Sequence, residues 1–195
     1  TNNKIFYMKS NGYFIISLDF ELQWGRFDKV FLDDARKKEL ENTLELVPQM
    51  LKLFEENDIA VTWAVVGMMF NKSREEWINN IPRSIPEYTN QKLSPYQYFN
   101  SLKTDENLNK YFFALELIKS IRDTKNQELA SHTYSHYYCL EDGQYTEHFK
   151  ADLETIKSIS NEMKSLVLPR NQFNINYHSV CKALEFSTIR TNPSS

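Results

Sequence analysis

The chain has 195 residues, 41% hydrophobic and 25% charged, and a formal net charge of −3 at pH 7. This composition is that of a globular domain rather than a disordered chain, and its acidic balance argues against a nucleic-acid-binding surface. The longest mostly apolar stretch, 59–70, is too short to span a membrane, and the four glycines lack the spacing of a dinucleotide-binding loop, a P-loop or a nucleophile elbow.

Short apolar runs alternate with longer helical patterns along the chain. Strands are predicted at 13–18, 59–66, 128–131, 166–168 and 188–190, and helices at 40–54, 108–118, 149–163 and 176–184. Pro48 is predicted to kink or break the first helix. The alternation indicates βα units around a parallel sheet, so the fold class is α/β, and functional side chains are expected at the carboxyl ends of the strands.

The segment 71–106 departs from this pattern because it is rich in proline and aromatic residues. Its aromatic side chains are Trp77, Tyr88, Tyr96, Tyr98 and Phe99. We interpret it as an insertion into the α/β domain. The favoured interpretation is a surface excursion with its own small hydrophobic cluster, and the alternative is an aromatic wall for a sugar-like ligand.

Two carboxylates stand at the end of the first predicted strand. Asp19 and Glu21 are two residues apart, so in an extended segment they project to the same side, ~6–7 Å apart. Such a pair can divide the roles of base and metal ligand. It can equally cap the next element or pair with a lysine or arginine, and the residues alone leave both interpretations open.

Two of the four histidines lie in one pentapeptide, His132-Thr133-Tyr134-Ser135-His136, directly after the third predicted strand. On a helical turn, side chains at i and i+4 share one side with Cβ atoms ~5–6 Å apart, and two imidazoles there can bind one cation. An isolated pair of this kind is more often a set of surface or capping histidines. Its position after a strand, like that of the two carboxylates, favours a His₂–carboxylate metal site of the hydrolytic type.

Arg170 follows the fourth predicted strand and is expected at the same edge of the sheet. It either holds a carboxylate in orientation or is an ordinary surface arginine.

The two cysteines, Cys139 and Cys181, are too few for a disulfide framework, and no signal peptide is recognisable after Thr1. We therefore expect a cytoplasmic protein. The Cys139 thiol is expected to be inert, because its sequence neighbours supply no charge that would stabilise a thiolate.

Four segments in order resemble the polysaccharide deacetylases, the NodB-homology proteins of carbohydrate esterase family 4. They are FIISLDFE (14–21), VTWAVVG (61–67), ELASHTYSH (128–136) and LPRNQF (168–173). The resemblance implies a (β/α)₇-type barrel, of which about five βα units are visible here. We therefore interpret residues 1–195 as one deacetylase-like catalytic domain, truncated at its C-terminus. The family's general-acid histidine and the aspartate partner of its arginine are expected beyond Ser195.

The resemblance also implies an activity, the metal-dependent removal of N- or O-acetyl groups from an acetylated saccharide. It implies that Asp19 is the catalytic base, that Glu21, His132 and His136 bind the metal, that Arg170 orients the base and that the backbone N–H of Phe173 is an oxyanion donor. Phe20 stands where the family usually has a second aspartate, and the Asp-x-Glu variant of the motif makes Glu21 the metal carboxylate. Zn²⁺ is the expected ion, with Co²⁺ or Ni²⁺ as alternatives.

The main alternative is a non-catalytic carbohydrate-binding protein on the same fold. Metal-independent glycoside hydrolysis ranks lower, because two carboxylates on one strand end do not flank a glycosidic bond. No nucleic-acid partner and no membrane span are expected. The sequence leaves the sugar, the acetyl linkage and the oligomeric state open.

Overall fold

A computed structural model describes Gly12 and residues 14–191 of the chain. Its five strands form one parallel sheet, and they are β1 (Ser17–Phe20), β2 (Val61–Val65), β3 (Gln127–Ser131), β4 (Ser165–Val167) and β5 (Thr188–Arg190). The α-helices are α1 (Asp34–Glu56), α2 (Arg74–Asn79), α3 (Pro95–Ser101), α4 (Leu115–Asp123), α5 (Thr146–Ile159) and α6 (His178–Ala183). The predicted α/β class with a parallel sheet is confirmed.

The strands are neighbours in chain order from β1 to β5. This is the order of a β/α barrel, since a doubly wound sheet reverses its order at a switch point. The sheet is curled, because Arg190 on the last strand reaches Ser17 and Asp19 on the first strand at 2.8 Å. The five strands therefore form a half-barrel with Asp19 on its concave face.

The hydrophobic core lies between the convex face of the sheet and the helices. Leu18, Trp63 and Leu129 occupy equivalent positions of neighbouring strands. Trp63 and Leu129 are buried, and the half-buried Leu18 packs against the same core. The α1 helix packs on this face, with the Phe54 ring 6.3 Å from that of Trp63, and it continues through Pro48, so the break considered at that proline is absent. Both cysteines are buried and unpaired. Within the described residues no helix is both long and apolar enough to cross a membrane.

The first strand and the second predicted helix differ from the prediction. Phe14 and Ile15 are 89% and 80% exposed, so the buried strand expected at 13–18 begins only at Ser17; residue 13 lies outside the described residues. β1 is an edge strand with a neighbour on one side only, which leaves the residues before it uncovered.

The helix expected at 108–118 is divided into a 3₁₀ helix, Glu106–Tyr111, and α4. Between them Phe112 turns into the core, where its carbonyl accepts a hydrogen bond from Trp24 Nε1 at 2.8 Å.

The aromatic residues of segment 71–106 mostly pack into the domain. Trp77, Tyr96 and Phe99 belong to the main hydrophobic core, and the rings of Trp77 and Phe99 lie 4.8 Å apart. The predicted separate cluster is therefore wrong for these three residues. The aromatic wall is not formed either, because Tyr88 is also buried and Tyr98 is half-buried. That the segment is an insertion stays a prediction.

Candidate metal centre

Glu21, His132 and His136 come together at the carboxyl ends of β1 and β3. The Oε1 atom of Glu21 lies 2.9 Å from His132 Nε2 and 3.2 Å from His136 Nε2. One ligand atom from each residue lies within 4.8 Å of the others. Both histidines are buried and Glu21 is partly accessible, so the group is open to solvent on one side only.

The hydrogen bonds of the two rings leave both Nε2 atoms facing the carboxylate. His132 Nδ1 donates to the carbonyl of Val167, at the end of β4, over 2.7 Å, and His136 Nδ1 lies 3.0 Å from the hydroxyl of Tyr138. His132 Nε2 is buried and lies 2.9 Å from Glu21 Oε1, but its geometry gives it no hydrogen bond among the described residues. A buried, unpartnered imidazole nitrogen beside a carboxylate and a second imidazole fits a divalent cation such as zinc. The second hydrogen bond on each ring is the arrangement that orients metal-binding histidines.

The environment favours the protonation states that metal binding needs. Burial on its own would raise the pKa of Glu21, but the contacts from the His132 and His136 rings hold it well below its usual range. The pKa of His136 is lowered, chiefly by burial, although its contact with Glu21 acts the other way. The site therefore combines an ionised carboxylate with neutral imidazole.

The loop that carries the histidines is not helical. Residues 132–136 follow β3 as irregular backbone, and Thr133 and His136 have φ values of 64° and 57°. The predicted helical turn is therefore wrong, and the two rings converge through a different geometry. Their centroids lie 5.2 Å apart. Left-handed φ at a β-branched residue such as Thr133 is unfavourable, so the surrounding structure must hold the loop in place.

Glu21 is positioned by the turn that follows β1. The chain leaves the extended conformation at this residue and enters a 3₁₀ helix, Leu22–Gly25, so the same-side geometry predicted for Asp19 and Glu21 is not formed. Gly25 leaves room for the carboxylate, since a Cβ there would lie 1.7 Å from Glu21 Oε2. Asp19 is outside the described Glu21–His132–His136 cluster.

Asp19 is held by Arg190, which our sequence analysis placed on the fifth strand without a role. One guanidinium nitrogen of Arg190 donates to both carboxylate oxygens of Asp19, at 2.8 and 2.9 Å. A second donates to Ser17 Oγ at 2.8 Å. The pairing depends on the curl of the sheet, which brings β5 opposite β1, and no local sequence pattern signals it.

Arg170 lies at the predicted edge of the sheet, but its carboxylate partner is Asp28. The further partner that the resemblance places beyond Ser195 stays a prediction. The guanidinium also lies over the ring of Tyr138, 4.4 Å from its centroid, and Tyr138 in turn contacts His136. Arg170 thus reaches the histidine pair through Tyr138, a residue that the sequence analysis did not consider. Phe173 is half-buried next to the core, and its N–H donates to none of the described residues.

No family model and no curated protein matches the chain. Among solved structures it is similar to a CE4 family pseudoenzyme from Bacillus anthracis, with 16% identity, a TM-score of 0.44, and coverage of 90% of this chain and 42% of that one. A mutant of that pseudoenzyme with restored enzymatic activity has the same identity and TM-score, with 44% of its chain covered. The deacetylase domain of BpsB from Bordetella bronchiseptica is 12% identical, with a TM-score of 0.46 over 76% of this chain and 60% of that one.

The chain resembles the polysaccharide deacetylase family. The pseudoenzyme and its mutant are described as members of carbohydrate esterase family 4, the family that the four sequence segments resemble. At 16% and 12% identity and TM-scores of 0.44 and 0.46, these likenesses assign no activity to the chain. The chain spans less than half the length of the first of these structures, 42%.

Proposed function

We propose that the chain is part of a metal-dependent hydrolase that removes acetyl groups from N- or O-acetylated saccharides. The observation that carries the proposal is the cluster of Glu21, His132 and His136 at the mouth of the half-barrel, in which the buried His132 Nε2 makes no hydrogen bond among the described residues. Carboxyl ends of barrel strands are where such folds place their chemistry. Zn²⁺ is the proposed ion, with Co²⁺ or Ni²⁺ as alternatives, and when bound it would polarise the acetyl carbonyl and lower the pKa of water.

In this proposal the chain's own residues divide the remaining work. Asp19 accepts the proton of the attacking water at a carboxylate oxygen, and the two hydrogen bonds from Arg190 fix the direction of that carboxylate. The N–H of Phe173 donates to the oxygen on which negative charge develops as the acetyl carbon becomes tetrahedral. Arg170 supports the site through Tyr138 rather than through Asp19. The general acid that protonates the leaving group is proposed to be a histidine outside these 195 residues.

The proposal is tested by acetate release from acetylated chito-oligosaccharides and acetylated xylan in the presence of Zn²⁺. The protein assayed is the longer one that also carries the proposed general-acid histidine. We expect release with that protein unchanged and none with its His132→Ala variant. The control is His178→Ala, because His178 is exposed and lies outside the cluster. Saccharide binding that survives His132→Ala, together with no acetate release by the unchanged protein, would contradict the proposal and favour a non-catalytic carbohydrate-binding protein.

A further inference from the structure

Asp152 is a buried carboxylate directly behind the histidine loop. It lies on α5, only 1% exposed, among the apolar side chains that face the core. Its Oδ1 accepts the backbone N–H of Tyr134 at 2.6 Å, and its Oδ2 accepts the backbone N–H of Ser135 at 3.0 Å. The Ser135 hydroxyl also donates to Oδ2. One side chain therefore accepts three hydrogen bonds from the two residues at the apex of the loop.

The carbonyl groups of the same loop are held from the other side. The N–H groups of Gly67 and Met68 donate to the carbonyls of Thr133 and Tyr134, at 2.9 and 2.8 Å. Gly67 approaches so closely that a Cβ there would lie 2.8 Å from Tyr134 Cα. The loop is thus fixed between the segment after β2, which satisfies its carbonyls, and Asp152, which satisfies its apical N–H groups.

This fixation matters because the loop backbone is unfavourable by itself. Thr133 and His136 both have left-handed φ values, and Tyr134 and Ser135 lie between them. Without Asp152, two buried N–H groups and a hydroxyl lose their acceptor, and a loop in such a conformation relaxes toward one that recovers partners. The relaxation would change the separation and angle of His132 and His136, which flank the apex on both sides.

We propose that Asp152 is a positioning residue that sets the spacing of His132 and His136 for metal binding. The role rests on the proposed function, since it is exerted on the proposed metal ligands. It is exerted through the backbone of Tyr134 and Ser135, and Asp152 itself contacts neither imidazole. The same carboxylate has a second effect on the fold, because it satisfies polar groups in the core, and the test must separate the two effects.

The test compares Asp152→Asn with Leu153→Ala in metal affinity and thermal stability. Asparagine keeps the size of the side chain but places an NH₂ group where the loop offers donors, so the apex loses an acceptor. Leu153 is a fully buried neighbour on the same helix, and its truncation lowers Tm without removing a polar contact of the loop. Affinity is measured by titrating the metal-free chain with Zn²⁺ against a chromophoric chelator, and ligand geometry by the visible spectrum of the Co²⁺ form.

We expect Asp152→Asn to weaken Zn²⁺ binding about 10- to 100-fold and to change the Co²⁺ spectrum, as substitutions behind metal ligands do. Leu153→Ala should lower Tm and leave both readouts unchanged. Ser135→Ala, which removes only the hydroxyl contact, should weaken binding by less and serves if Asp152→Asn does not fold. If Asp152→Asn or Ser135→Ala binds Zn²⁺ with the same affinity as the unchanged chain, the positioning role of Asp152 is overturned while the proposed function stands. Failure of the unchanged chain to bind either ion would overturn the proposed function and this role with it.

Discussion

Arg190 and Asp19 are 171 residues apart in the sequence and form an ion pair across the mouth of the half-barrel, in which one guanidinium nitrogen donates to both carboxylate oxygens. The arginine lies on β5 and the aspartate on β1, the two edges of the sheet. Because both side chains are about one third exposed, 33% and 37%, the pair contributes little to stability, about 0–1 kcal/mol. Its consequence is geometric, since it fixes the direction of the carboxylate that we propose as the base.

Arg190→Lys tests this relationship. Lysine keeps the charge but lacks the second guanidinium nitrogen, which donates to Ser17 and holds the first nitrogen against both Asp19 oxygens, so the Asp19 carboxylate loses its fixed direction. We expect acetate release by the longer protein that carries the proposed general acid to fall roughly 10- to 100-fold. Zn²⁺ affinity should stay unchanged, because Asp19 lies outside the described metal cluster. Unchanged acetate release would show that Arg190 does not position the base.

Gly25→Ala is expected to weaken metal binding without removing a ligand. The new Cβ would lie 1.7 Å from Glu21 Oε2, so the Glu21 side chain must move, whereas the fold can accommodate alanine by moving that flexible side chain. We expect Zn²⁺ affinity to fall by about 10-fold or more. Gly12→Ala is the matched control, since a Cβ at that position meets nothing within 4 Å. Equal Zn²⁺ affinity in both variants would contradict the position of Glu21.

The stability of the metal-free chain should depend on His136 below neutral pH. The folded-state pKa of His136 is lowered, so as pH falls below about 6.5 the unfolded chain binds a proton that the folded chain does not. The free energy of unfolding therefore decreases as pH falls, at a limiting slope of about 1.4 kcal/mol per pH unit. Denaturant unfolding of the unchanged chain and His136→Asn between pH 7 and 5 measures this. Parallel curves for the two proteins would refute it.

Asp152 should produce a pH dependence of the opposite sign. Burial raises its pKa to about 6, against the lowering effect of the bonds from Ser135 and Tyr134. A raised carboxyl pKa stabilises the fold below the unfolded-state value of 3.8, and this contribution disappears as pH rises through about 6. The stability deficit of Asp152→Asn relative to the unchanged chain should therefore shrink between pH 4 and 6, by up to about 3 kcal/mol. A deficit that stays constant over this range would mean that Asp152 is not buried as described.

The sequence was sufficient for the features that depend on periodicity and chain order. Alternating strands and helices predicted the parallel sheet, and residues directly after β1 and β3 are brought together at one edge because parallel strands end there. That is why Glu21, His132 and His136 were predicted as a group. Their roles as metal ligands remain a prediction.

The features that the sequence did not predict depend on contacts between distant parts of the chain. The left-handed Thr133 is held by groups on the segment after β2 and on α5, so no local propensity predicts it. The Arg190–Asp19 pair requires the curl of the sheet. Asp152 was recognisable in the sequence by its position, although the sequence analysis did not single it out. It lies three residues after Phe149 and four before Ile156, so an ionisable residue stands on the buried stripe of an amphipathic helix.

The measurement that tests the central claim most directly is the metal content of the purified chain after addition of Zn²⁺ and removal of unbound ion, determined by elemental analysis. Three proteins are compared, the unchanged chain, Glu21→Ala and His132→Ala, with His178→Ala as the control. The account predicts about one equivalent of Zn²⁺ in the unchanged chain and in His178→Ala, and none in the two cluster variants. No bound metal in the unchanged chain, or metal retained in both cluster variants, would contradict it.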